Sequence, residues 1–181
     1  KAYPNDDRKE WNYMTEWKIK SGEIIPYTES ADKLPAISKY YDYDEGAPGK
    51  SAQSNGITCI YRYAEVLLMY AEASTRATNT VNQDALNAIQ EVQKRAGYQD
   101  RQIELTTTTE PTAFLAAVSN ERGWEFFAEM KRWFELVRLE KVKEVRAEEW
   151  DASTFNTNHH YYFPVPYQQV DLAGWTNNAG Y

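Results

Sequence analysis

The longest periodic stretch of the chain runs from Thr58 to Arg76. At 100° per residue, Ile60, Ala64, Leu67 and Ala71 share one face, flanked by Tyr63 and Tyr70. Val66, Met69 and Ala73 form a second apolar strip, and Arg62, Glu65 and Glu72 fill only part of the remainder. A helix apolar on two sides is buried on two sides. A second helix is predicted over Asn82 to Ala96, where Ala85, Leu86, Ile89, Val92 and Ala96 form one stripe. Asn87, Gln90, Glu91 and Lys94 form its solvated face, and Gly97 follows as a left-handed terminator. The short connection near Ala77 to Val81 predicts antiparallel packing of the two helices. After a polar loop over 98–110, a third helix opens at Glu110–Pro111, with proline suited to the first turn. It is expected to run on through Glu129, with Phe114, Ala117, Val118 and Ala128 on one face. "MKRWFELVRLEKV" continues as a further helix after a kink, and from Ser153 the chain is expected to be extended and aromatic.

The first third lacks this periodicity. "EWNYMTEWKIK", Ser21-Gly22 and "EIIPYTE" read as a β-hairpin, with Pro26 confining the second strand to an edge or to its end. Asp42 to Gly56 is a polar loop rich in Gly, Pro and Ser, long enough to be mobile or functional. The chain therefore divides into an irregular and hairpin segment (1–57), a helical hairpin (58–97), a loop with further helices (98–152) and an extended tail (153–181). Strand alternation would place Trp11, Tyr13 and Trp17 on one face. Together with Tyr27, Tyr41 and Tyr43 they are the candidate ligand-binding residues, set against packing of that face on the helices.

Composition narrows the chemistry. The 181 residues suit one domain, and fourteen Tyr and six Trp are more than its core can hold. Surface Tyr and Trp suit binding, being large and stiff with one polar handle. A net charge of −7 with dispersed basic residues argues against nucleic acid, where a basic stripe is needed. Cys59, between Ile57 and Ile60, reads as a small buried apolar residue, and a single cysteine permits no internal disulfide and no thiolate cage for zinc. The adjacent pair His159–His160 is a poor metal site, because neighbouring side chains of an extended chain point apart. No cofactor or metal is expected. No phosphate-binding loop, nucleophile elbow or zinc spacing occurs.

Glu121 and Glu125 are the exception, since they fall inside the apolar stripe of the third helix. Two such carboxylates need partners, and Arg62, Arg122, Arg132 and Arg138 are the candidates. A glycosidase would place its acid and base on either side of a bond. At i,i+4 spacing these two meet each other instead, so structural ion pairing is the stronger reading.

"RYAEVLLMYAEA" (Arg62 to Ala73) resembles the signature helix of the SusD/RagB family, outer-membrane nutrient-binding lipoproteins of Bacteroidetes. The family's "R-A-G" corresponds to Arg95, Ala96 and Gly97. Its "E-R-R-R-E-L-A-F-E-G-x-R-W-x-D-L-x-R" block is similar to "ERGWEFFAEMKRWFELVR", matching at Glu121, Arg122, Glu125, Glu129, Arg132, Trp133, Leu136 and Arg138. Its ending is represented by Pro164, Pro166, Asn178, Gly180 and Tyr181, and its "D-x-R" segment by Asp6 or Asp7 with Arg8. Met130 stands where Gly is usual, Gly123 where Arg is common, and Ala179 where Pro is usual.

The resemblance implies a mainly α fold: the C-terminal portion of the SusD-like fold, with tetratricopeptide-like helical hairpins, a small β-hairpin and long irregular loops. Family members are longer, so an N-terminal part is expected to supply further helices against the second face of the first helix. The opening "KAYPNDDRKEW" has no signal-peptide character, and the lipid-bearing cysteine is expected on that other part rather than at Cys59. The implied role is non-catalytic glycan binding at the cell surface, beside a SusC-like TonB-dependent transporter of the outer membrane. A peptide-binding role in the same family is the alternative, and a glycoside hydrolase using Glu121 and Glu125 the remoter one.

Overall fold

The computed structural model describes residues 3–19, 21–40, 59–145 and 161–181. The chain forms two compact units, residues 1–130 and 131–181. It is mainly α-helical, with two small two-stranded sheets among the described residues of the first unit.

The first unit opens with α1 (Asp7–Asn12), capped by the Asp6 carboxylate, which accepts from Arg8 N at 3.0 Å. Strand β1 (Tyr13–Met14) pairs antiparallel with β4 (Ala36–Ile37). Strand β2 (Glu16–Lys18) pairs antiparallel with β3 (Ile24–Pro26) across a turn holding Gly22 at φ +91°. This is the expected hairpin, with Pro26 at the strand end. The expected single face of Trp11, Tyr13 and Trp17 does not form. Trp11 is helical, and Tyr13 and Trp17 lie in strands of different sheets.

Helices α2 (Tyr63–Thr78) and α3 (Gln83–Arg95) form the predicted helical hairpin, joined at Asn79 in a left-handed conformation. Asn82 caps α3 by accepting from Ala85 N at 2.7 Å. Glu110 does the same for α4 (Pro111–Glu125), accepting from Thr112 N at 2.9 Å and Ala113 N at 2.5 Å. Leu68, Ala71, Ala85, Ile89, Val92, Phe114 and Val118, drawn from all three helices, make the core with Phe126.

Four sequence expectations are corrected here. Helix α2 starts at Tyr63 rather than Thr58, leaving Ile60 outside it and 77% exposed. Cys59, expected to be buried, is exposed in the segment that leads into α2. The buried face of α2 is Glu65, Leu68, Ala71, Glu72 and Thr75, rotated from the hydropathy stripe. Ion pairs allow this rotation: Glu65 meets Arg122 at 3.7 Å, and Glu72 accepts from Arg76 at 2.8 Å. Finally, α4 stops at Glu125, and Ala128, expected on its apolar face, sits beyond it with φ +61°.

The second unit contains α5 (Arg132–Arg138), α6 (Val142–Val145) and α7 (Tyr167–Ala173). Leu136 and Val142 are buried where α5 and α6 pack. The tail was expected to be extended, yet it carries α7, which begins after Pro166 and ends at Gly174 with φ +68°. Its two sequence motifs join each other. Asn177 accepts from Val165 N at 2.8 Å, Asn178 donates to the Phe163 carbonyl at 2.6 Å, and the Tyr181 hydroxyl donates to the Tyr162 carbonyl at 3.0 Å. No helix among the described residues is long and apolar enough to cross a membrane.

Candidate functional site

Helix α1 carries Arg8 into the interior, where it is 7% exposed. Its Nε and Nη2 donate to Asp6, two residues back, at 3.0 and 2.5 Å. Its Nη1 donates to both Glu121 and Glu125 on α4, each at 2.7 Å. The i,i+4 spacing on α4 therefore sets the two carboxylates around one guanidinium.

Glu121, with no exposed surface, also accepts from the Tyr98 hydroxyl at 3.0 Å and Gln93 Nε2 at 3.3 Å. Gln93 is itself oriented by Thr106, whose N–H donates to Gln93 Oε1 at 2.9 Å. The second oxygen of Glu125 receives Arg62 Nη1 at 2.5 Å and Arg95 Nη2. Arg62 continues to Glu129 through Nη2 at 2.9 Å, and Lys39 reaches Glu129 at 2.6 Å. Asp6, Glu121, Glu125 and Glu129 are thereby matched by Arg8, Lys39, Arg62 and Arg95. The cluster has no net formal charge, the condition under which such burial is tolerated.

The two carboxylates of α4 differ electrostatically. Burial pushes the Glu121 carboxyl above the ordinary carboxylate range, and Arg8 offsets only part of that shift. Burial acts on Glu125 in the same sense, but the guanidiniums of Arg62, Arg95 and Arg8 outweigh it and hold Glu125 below the ordinary range. Burial and the nearby Glu121 carboxylate raise Tyr98, so its hydroxyl stays a donor.

Beside this cluster lies a cleft of about 700 Å³ lined in part by Trp11, Tyr40, Lys39, Arg62, Arg95 and Glu129. Trp11 is 68% exposed, and its carbonyl accepts from Ser38 Oγ at 2.6 Å. The Tyr40 hydroxyl donates to the Ala128 carbonyl at 3.3 Å.

Of the four candidate ligand-binding residues that are described, Trp11 alone lines this cleft. The Tyr13 ring packs on Tyr3 and Phe127, with centroids 5.4 and 4.7 Å apart. Trp17 is half-buried in β2 opposite Ile25, and Tyr27 is half-buried in a short 3₁₀ turn. Tyr41 and Tyr43 lie outside the described residues, as do His159 and His160.

Among the candidate partners of the two carboxylates, Arg62 reaches Glu125. Arg122 turns to Glu65 and lies 5.3 Å from the Phe126 ring centroid, where Arg62 lies at 4.6 Å. Arg132 pairs with Glu135 at 3.0 Å, and Arg138 closes α5. Sequence reasoning missed Arg8 and Arg95 as partners. Both stand in motif blocks, "D-x-R" and "R-A-G", which supplied a signal that they matter without saying what they touch.

A SusD family model matches residues 3–181, and the chain belongs to that family. It is 28% identical to SusD-like protein P2 of Formosa agariphila, over all of this chain and 39% of that protein. It is 27% identical to SusD-like protein P25 of the same organism, over 77% of this chain and 26% of that protein. The chain thus spans less than half the length of these relatives. Among solved structures it is similar to a SusD superfamily protein from Parabacteroides distasonis, with 27% identity and a TM-score of 0.75 over 99% of this chain and 40% of the other. A SusD homolog from Bacteroides thetaiotaomicron shares the fold, with a TM-score of 0.72 at 22% identity over 97% of this chain and 41% of the other.

Proposed function

We propose that this chain is the C-terminal part of a cell-surface subunit that binds glycans without transforming them. In this reading the complete protein is held at the outer membrane by a lipid on its other part. It passes its ligand to a SusC-like TonB-dependent transporter. The observation that carries the reading is the family match across residues 3–181. The geometry of the carboxylates supports it. Glu121 and Glu125 share one donor, Arg8 Nη1, and so face each other across a guanidinium rather than across a glycosidic bond. The exposed Trp11 ring in a cleft that also carries charged and polar side chains supports saccharide capture, because the C–H face of a sugar stacks on a flat ring while its hydroxyls find donors and acceptors.

Tryptophan fluorescence of the chain, titrated with soluble polysaccharides and oligopeptides, tests this. We expect a saturable change with one glycan class and no release of reducing ends. A response to oligopeptides alone would replace the glycan with a peptide in the same role. Hydrolysis that disappears in a folded Glu121→Gln variant would overturn the non-catalytic reading.

A further inference from the structure

We propose that the cleft beside Trp11 takes an acidic saccharide, with Arg95 receiving the carboxylate of a uronic acid residue. The proposal rests on the glycan-binding reading above and deepens it. Two of the four cations of the buried cluster are used up. Arg8 spends Nε, Nη1 and Nη2 on Asp6, Glu121 and Glu125, and Arg62 spends the same three nitrogens on Glu125 and Glu129.

Arg95 differs. Among the described residues, one of its five N–H donors is engaged, at Nη2 toward Glu125, and its side chain is 57% exposed at the cleft. The bond to a buried carboxylate pins one corner of the guanidinium, and the rest of its donor edge remains open. A planar fork held at one corner is set to accept a second carboxylate with little loss of side-chain freedom.

The cations that line the cleft, Arg8, Lys39, Arg62 and Arg95, are matched by carboxylates of the cluster, so selection of an anion rests on the open donor edge of Arg95 rather than on net charge. The flat faces of Trp11 and Tyr40, 68% and 43% exposed, select a sugar ring over an acidic peptide. A volume of about 700 Å³ holds more than one sugar unit and falls within the usual range of ligand sites, roughly 300–1,000 Å³.

The test is calorimetric titration of the chain with a galacturonic acid oligomer, a neutral glucose oligomer of the same length and an acidic oligopeptide, at low and high salt. We expect the uronic oligomer to bind at least tenfold more tightly than the neutral one, and high salt to weaken it. Arg95→Gln should abolish that preference, bringing the uronic oligomer down to the affinity of the neutral one. If Arg95→Gln fails to fold, Arg95→Lys keeps the pairing charge but loses the fork, and should reduce the preference severalfold. Trp11→Ala, at an exposed position, should weaken both oligomers about tenfold or more. Equal binding of uronic and neutral oligomers, unchanged by the Arg95 variants, overturns the proposal and leaves the glycan reading intact. Binding of the peptide alone overturns both, as does the absence of any glycan binding.

Discussion

Each residue of the "R-A-G" triplet has a separate physical task. Arg95 pairs with Glu125, and Ala96 is buried with its carbonyl accepting from Asp7 N at 3.1 Å. Gly97 has φ +81°, and a Cβ there would lie 2.3 Å from Asp7 Oδ2. Gly97→Ala is therefore expected to lower stability by about 1–3 kcal/mol: about 1–2 from the left-handed backbone, and a smaller share as Asp7 swings away from its exposed pair with Arg101. Denaturant unfolding of the variant measures this, and an unchanged midpoint would mean that the backbone relaxes out of the left-handed region. The same argument explains the family's usual Gly where this chain has Met130. Met130 keeps φ +59°, a conformation glycine adopts at no steric cost, and is 88% exposed, so its side chain has room.

At the scale of elements, α2 shows how far hydropathy can mislead. Its interior face includes Glu65, Glu72 and Thr75, whereas Tyr63, Val66, Met69 and Tyr70 lie 67%, 52%, 45% and 44% exposed. The second apolar strip recognised in the sequence is therefore open among the described residues. Its expected consequence is a clear asymmetry of stability. Leu68→Ala should cost about 2–5 kcal/mol, because it opens a cavity between α2, α3 and α4. Met69→Ser, one residue on, should change stability by less than about 0.5 kcal/mol. Thermal unfolding of the two variants decides the matter, and comparable losses would show that the strip is covered rather than open. Helix α3 behaves more simply, because Asn82 and Gly97 mark its ends locally and its stripe faces the core as expected, and for α4 Glu110 and Pro111 mark the start.

At the scale of the whole molecule, the buried cluster ties α1, α2, α3 and α4 of the first unit to one electrostatic balance. Its two central carboxylates should give opposite contributions to the dependence of stability on pH. Glu125 titrates lower in the folded than in the unfolded chain. It stabilises the fold above the unfolded carboxylate pKa, about 4.3, and that stability is lost as pH falls through its folded value. Glu121 titrates higher when folded. Its ionisation opposes folding as pH rises, and that opposition is relieved as pH falls through its folded value. Glu125→Gln should cost about 3–5 kcal/mol at neutral pH, by leaving buried cations short of a partner, and should flatten the loss of stability in acid. Glu121→Gln should cost less and steepen that loss. Denaturant unfolding across pH 3 to 7 separates the two variants. Parallel pH profiles would show that Arg8 holds both carboxylates alike.

What the sequence determined by itself was local or periodic. The helical hairpin, the helix starts at Asn82 and at Glu110–Pro111, the terminator Gly97 and the small hairpin around Gly22 all follow from residues within a few positions of one another. So did the need of Glu121 and Glu125 for cationic partners, since a carboxylate in an apolar stripe is costly wherever the helix goes. Their actual partners depended on tertiary structure. Arg8 lies 113 positions from Glu121, and no spacing rule joins them. The rotation of α2 toward Glu65 and Glu72, the exposure of Cys59, the separation of Trp11 from Tyr13 and the meeting of Trp11 with Tyr40 and Arg95 at one cleft were likewise decided by the fold. The physical reason is common to all of them. Hydropathy reports the cost of burying a group alone, while burial in the folded chain depends on partners that distant segments bring to it.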